Sequence, residues 1–174
     1  MNGKITDFES MGSADGPGVR LVLFMAGCKL RCLYCHNPET WTDKGSREIS
    51  PEEVLKKFKK YQNYYGEHGG VTFSGGEPLL QPEFLLETIK LLKQESIHVA
   101  IDTAGVASGY DEILDLVDLV ILDVKQLMLT NINLSLAEIL TSLKLFLKFA
   151  SKKAKNYGLD RLLFQVSTMM KLMF

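Results

Sequence analysis

Gly18-Val19-Arg20-Leu21-Val22-Leu23-Phe24-Met25-Ala26-Gly27-Cys28-Lys29-Leu30-Arg31-Cys32-Leu33-Tyr34-Cys35 is the stretch on which the fold turns. Gly18 to Phe24 is rich in β-branched and apolar side chains and reads as a strand. The loop behind it carries all three cysteines of the chain, spaced Cys28-x3-Cys32-x2-Cys35.

The same rhythm continues downstream. Ser50-Pro51-Glu52-Glu53 predicts a helix start, with Ser50 as N-cap, Pro51 at the first helical position and Glu53 closing a capping box; the helix is expected to run to about Tyr61. Val71-Thr72-Phe73-Ser74 reads as a second strand ended by Gly75-Gly76. Pro82 and Glu83 open a second helix, with Leu85, Leu86, Ile89 and Leu92 at helical spacing. Ile97 to Ile101 is a third strand, Asp111 to Leu116 a short helix, and Leu119 to Leu122 a fourth strand. Short strands that are apolar on both faces predict a buried parallel sheet. Four β/α units in a row predict an α/β fold: part of a (β/α) barrel, with chemistry at the C-terminal ends of the strands.

Composition sets the class. Apolar residues make up 46% of the 174, enough for one well-filled domain, and the net charge is −1. That balance gives no electrostatic reason for a nucleic-acid or anionic-membrane partner. The start of the chain has no apolar signal-peptide core, and no apolar run approaches the roughly 20 residues of a membrane span. The expected compartment is the cytoplasm. Three cysteines close together, an odd number, argue against a disulfide framework and for metal ligation in a reducing compartment.

Three thiolates on one short loop can hold three irons of a [4Fe–4S] cubane and leave the fourth iron open to a small chelating ligand. The alternative is a closed zinc site with His36 as fourth ligand, although adjacent Cys35 and His36 rarely both reach one metal. The wider string Gly27 to Pro38 resembles the cluster loop of radical S-adenosylmethionine enzymes. Asp15-Gly16-Pro17-Gly18-Val19-Arg20 and Glu39-Thr40-Trp41 narrow the resemblance to the glycyl-radical-enzyme activases, above all those of pyruvate formate-lyase.

The resemblance implies a [4Fe–4S] cluster on Cys28, Cys32 and Cys35, with S-adenosylmethionine bound beside it. It implies cofactor contacts from Tyr34, Cys35 and His36, and from Gly75, Gly76 and Glu77, where Gly76 offers backbone and Glu77 is a supporting carboxylate. By local pattern alone Gly-Gly-Glu is a turn. Asp102 and Thr103, locally an N-cap or turn, become a site for a monovalent cation and the cofactor carboxylate. Ala104 stands where many relatives carry Asn, so a side-chain role there is lost. Asp123, Val124 and Lys125 match the family's Asp-x-Lys, against the plain reading of a strand-end cap. Asp15 is expected near the partner's glycine loop. His98 reads as structural and His68 carries no signal.

The reaction so implied is one-electron cleavage of S-adenosylmethionine to methionine and a 5′-deoxyadenosyl radical, which takes a hydrogen atom from a glycine of pyruvate formate-lyase. The implied electron donor is a flavodoxin or ferredoxin, and the expected state is a monomer. No cysteine lies between Cys35 and Gly75, so the extra clusters of some activases are not expected there. Two rivals stand beside this reading: the activase of anaerobic ribonucleotide reductase, and a non-catalytic iron–sulfur or metal-binding remnant.

The tail supports the second rival. Resemblance holds from about residue 3 to Gln126 and then stops, so residues 1–126 are expected to form the core. Residues 127–174 hold seven Lys/Arg against two acids, no Pro and one Gly, and are expected to be helical or poorly ordered, with a long helix over 134–155. Permitted back-translations of 130–147 and 155–174, read out of frame, give family-like segments. The expectation is a frameshift near residues 127–130, leaving the barrel's later strands missing.

Overall fold

The computed structural model describes residues 1–32, 35–105, 107, 111–123, 144 and 164–165. In chain order the strands and helices are β1 (Gly3–Gly12), β2 (Arg20–Met25), β3 (Arg47–Ile49), α1 (Pro51–Tyr65), β4 (Gly70–Gly75), α2 (Pro82–Gln94), β5 (Val99–Thr103), α3 (Asp111–Leu116), β6 (Leu119–Asp123) and β7 (Phe164–Gln165). They build one sheet in the order β3-β1-β2-β4-β5-β6-β7. Strands β2, β4, β5, β6 and β7 run parallel, and β1 is antiparallel to both β2 and β3. Three of the expected β/α units (β2–α1, β4–α2 and β5–α3) and the strand of the fourth, β6, are thus described, as an open partial barrel.

Parallel register sorts the side chains onto two faces. Val22 pairs with Thr72, Thr72 with Ala100, and Ala100 with Leu119. One strand position on, Leu21, Val71, Val99 and their neighbours face the helices. That outer face merges Leu21, Leu23, Phe73, Val99 and Ile101 with Val54 and Phe58 of α1, Phe84, Leu85 and Ile89 of α2, and Ile113 and Leu114 of α3. Phe73 meets Phe84 edge-on, with centroids 6.4 Å apart, an arrangement that contributes about 0.5–1.5 kcal/mol beyond burial. The inner face carries Arg20, Thr72, Ser74 and Asp102, and a small apolar cluster of Ala100, Leu119 and Ile121.

Helix α1 begins as expected. The Ser50 side chain accepts from the Glu53 amide while the Glu53 carboxylate accepts from the Ser50 amide. It runs past Tyr61 to Tyr65, because Tyr65 is buried and stacks on Phe58 at 4.7 Å. It stops at Gly66, whose φ of +57° suits glycine. Strands β1 and β3 extend the expected sheet on its antiparallel side. Strand β7 adds a two-residue parallel pair, Leu122 with Phe164 and Asp123 with Gln165. The expected tail helix over 134–155 and the boundary near 126 lie outside the described residues, apart from Lys144.

Candidate functional site

The cysteine loop hangs from the C-terminal end of β2 and is held almost entirely by backbone. The Ala26 amide donates to the Lys4 carbonyl (3.0 Å), Gly27 to Thr40 (2.8 Å) and Cys28 to Trp41 (3.2 Å). A short turn over Pro38–Trp41 thus closes the loop from outside. The Gln81 side chain pins the root of the loop: its amide nitrogen donates to the carbonyls of Ala26 (3.0 Å) and Lys4 (2.9 Å), and its oxygen accepts from the Lys4 amide (2.7 Å). Arg31 ties the rim by donating to the carbonyls of Cys28 and Leu30, both at 2.7 Å, with its guanidinium 5.1 Å above the Trp41 ring. Within the loop the Cys35 amide donates to the Cys32 carbonyl (3.1 Å).

None of the three cysteines forms a disulfide; Cys32 is buried, and Cys28 and Cys35 are half-buried. Burial pushes the Cys28 thiol up, the Leu30 amide opposes this, and the negative charges of Glu77, Cys32 and Cys35 add to the rise. A thiolate at Cys28 therefore calls for a positively charged centre beside it. Among the described residues no three His, Cys, Asp or Glu side chains form a ready-made single-ion site. The donor set, three soft sulfur ligands on one loop and no carboxylate or imidazole drawn in, fits an iron–sulfur cluster.

The turn after β4 packs against that root. Its Gly76 amide donates to the Met25 carbonyl (2.9 Å) and its Glu77 amide to the Gly27 carbonyl (2.8 Å). A Cβ on Gly76 would come 2.3 Å from the Gly27 oxygen, and Gly75 sits at φ +93°. Both glycines are thus required by the crossing of two protein loops, a reason that local sequence does not reveal. Glu77 is buried. Its carboxylate accepts from the Leu79 amide (3.1 Å), the Thr103 hydroxyl (2.6 Å) and the Ala104 amide (3.1 Å). Asp102, half-buried at the end of β5, accepts from the Ser74 hydroxyl at 2.9 Å.

Asp15 reaches the inner face from the β1–β2 loop. Its carbonyl accepts from the Thr72 hydroxyl (2.8 Å). Burial pushes its carboxyl up, against the pull of the Ser74 hydroxyl and the Arg20 charge. The structure thus brings Cys28, Cys32, Cys35, Gly75, Gly76, Glu77, Asp102 and Thr103 to one end of the sheet, with Asp15 facing Ser74 beside them. His36 follows Cys35 and is exposed. Asp123 closes β6, and its backbone pairs with Gln165. Tyr34, Val124 and Lys125 lie outside the described residues. Ser74, Gly27 and Gln81 are parts of the site's frame that the sequence reading passed over; the place of Ser74, one residue before the Gly-Gly turn, is the only signal it offers. His98 proves structural, its ring Nδ1 3.1 Å from Arg20 Nη2.

A family model described as a 4Fe-4S single cluster domain matches residues 14–127. The chain belongs to that family. The pyruvate formate-lyase-activating enzyme of Clostridium pasteurianum is 57% identical over 125 residues, 71% of this chain and 52% of that protein. Pyruvate formate-lyase 1-activating enzyme of Escherichia coli K12 is 45% identical over 130 residues, 72% of this chain and 53% of that protein. This single-cluster chain spans about half the length of the curated relatives it matches. QueE from Escherichia coli shares the fold, with a TM-score of 0.58 at 16% identity, over 99% of this chain and 88% of QueE. Among the described residues no helix is long and apolar enough to cross a membrane.

Proposed function

We propose that this chain is the cluster-bearing part of a glycyl-radical-enzyme activase acting on pyruvate formate-lyase. The observation that carries the reading is the Cys28-x3-Cys32-x2-Cys35 loop, seated after β2 and braced by the turn after β4, in a chain whose relatives are named as activases of that enzyme. In this reading the three thiolates hold three irons. The backbone of Gly75 and Gly76 lines the approach to the fourth, with Glu77 behind it, and Tyr34, Cys35 and His36 contribute cofactor contacts. Asp102 and the backbone of Thr103 take a monovalent cation and the cofactor carboxylate, and Asp123, Val124 and Lys125 contribute further cofactor contacts. Asp15, half-buried beside Ser74, faces the entering glycine loop of the partner.

When bound, the reduced cluster and S-adenosylmethionine supply a one-electron cleavage that gives methionine and a 5′-deoxyadenosyl radical, which takes a hydrogen atom from a glycine Cα. The protein's own part is to hold the thiolates, orient the cofactor and admit the glycine. A flavodoxin or ferredoxin delivers the electron, and the chain works as a cytoplasmic monomer. Residues 1–126 are taken as the core and 127–174 as an atypical tail.

The test is anaerobic reconstitution followed by reduction with S-adenosylmethionine and pyruvate formate-lyase. The expected result is 5′-deoxyadenosine together with a glycyl radical seen by electron paramagnetic resonance. A cluster that assembles without 5′-deoxyadenosine would identify a non-catalytic iron–sulfur protein, the second reading. A radical on anaerobic ribonucleotide reductase instead would reassign the partner.

A further inference from the structure

Three turns meet at the C-terminal end of the sheet, and one side chain joins them. Glu77 is 1% exposed, and it sits between the cysteine loop and the turn after β5. Its amide donates to the Gly27 carbonyl next to Cys28 (2.8 Å). Oε1 takes the Thr103 hydroxyl at 2.6 Å and the Leu79 amide at 3.1 Å, and Oε2 takes the Ala104 amide at 3.1 Å. The Thr103 hydroxyl, 2% exposed, in turn accepts from the Gly105 amide at 2.9 Å. A carboxylate offers about four acceptor positions, and at least three of them are filled by described residues. The amides of Ala104 and Gly105 and the hydroxyl of Thr103 take their places from this one group.

We propose that Glu77 is a positioning residue: it fixes the Thr103-Ala104-Gly105 turn against the cysteine loop, and it acts on the cofactor through that turn and not by touching it. The proposal deepens the S-adenosylmethionine reading and rests on it. Its local consequence, a turn held by Glu77, stands without any cofactor. Glu77→Gln keeps size but replaces one acceptor oxygen by an NH2 group, which faces a donor at either Thr103 or Ala104. Thr103→Val breaks the same network from the other side, and Thr103→Ser preserves it.

Amide hydrogen exchange on the metal-free chain reads the local claim. Glu77→Gln should speed exchange by about tenfold or more at Leu79 or at Ala104, whichever amide then faces the new NH2 group, the loss of one charge-assisted bond, with α1 unchanged. Thr103→Val should do so at Gly105. Reconstituted chains read the rest. Iron content and the cluster's own paramagnetic signal should match wild type. The change in that signal on adding S-adenosylmethionine should require about tenfold more cofactor in Glu77→Gln and in Thr103→Val. The double variant should lose no more than either single one, and Thr103→Ser should bind as wild type. Direct contact, and so the end of the proposal, is indicated if Glu77→Gln weakens the cofactor with exchange at Leu79 and Ala104 both unchanged, or if the two losses multiply. A wild-type chain with no cofactor response would undo the functional reading alone. Exchange would then still decide: unchanged rates in Glu77→Gln overturn the proposal and faster rates sustain it.

Discussion

At the N-terminal ends of the parallel strands the fold answers buried charge with its own hydrogen bonds; at their C-terminal ends it also sets three thiols on one short loop. Arg20, fully buried, donates to the Thr72 hydroxyl (2.6 Å) and to the carbonyls of Pro17 (2.9 Å) and Val71 (3.0 Å). Burial pushes its guanidinium down to about 10, while Asp118 and Asp15 pull the other way, so it stays charged at neutral pH. Asp118 takes Lys93 Nζ on both oxygens (2.7 and 2.8 Å) and the Val99 amide (2.8 Å). The opposite end holds three thiols, and burial with the charges of Glu77, Cys32 and Cys35 disfavours the ionisation of Cys28. The lesson is a division of labour along the strand axis: one end stabilises, the other binds.

Variants at the two ends should therefore fail in different ways. The largest effect belongs to Cys28→Ala. After reconstitution it should lose the cluster's visible absorption and nearly all bound iron, yet unfold in urea like the wild-type apo chain. Next comes Arg20→Met, which strands several buried acceptors. It should cost about 3–5 kcal/mol in urea unfolding, while any folded fraction still takes up iron. If Arg20→Met instead unfolded normally but lost iron, the division between the ends would be broken.

Asp118→Asn should cost about 1–3 kcal/mol. Burial alone would raise the Asp118 carboxyl, but Lys93 and the Val99 amide hold it below its ordinary 3.8. A depressed folded value means that its stabilisation is present above 3.8 and lost as pH falls through the lower folded value. The gap between wild type and Asp118→Asn should thus be constant near neutrality and close in acid, as read by thermal melts against pH. The smallest effect sharpens the comparison from the other side. Ser50 caps α1 and serves structure alone, so Ser50→Ala should cost about 1 kcal/mol and leave iron uptake untouched.

Much of this was legible in the chain. The Ser50-Pro51-Glu52-Glu53 start announced α1, the helical spacing of Leu85, Leu86, Ile89 and Leu92 announced α2, and short apolar runs announced β2, β4, β5 and β6. Strand β1 was hidden because only Gly3, Ile5 and Gly12 of it are buried while Lys4, Asp7, Glu9 and Met11 are exposed, so its half-solvated face looks like loop. Strand β3, Arg47–Ile49, is too short to carry a pattern. The cysteines announced themselves by spacing, and by resemblance so did the turns at Gly75 and Asp102. What could not be read was how those turns meet. Glu77 finds Thr103, and Ser74 finds Asp102, only once Val71 pairs with Val99 and Phe73 with Ile101. That register is a tertiary fact, set by burial on both faces and absent from any local window.

The central claim is that Cys28, Cys32 and Cys35 hold one iron–sulfur cluster with an open iron. The most direct measurement is anaerobic reconstitution with iron and sulfide, then metal analysis and electron paramagnetic resonance of the reduced protein with and without S-adenosylmethionine. About four irons per chain, with a cluster signal that shifts when the cofactor is added, is the predicted result. Tightly held zinc in place of iron, or a cluster signal indifferent to the cofactor, would contradict it.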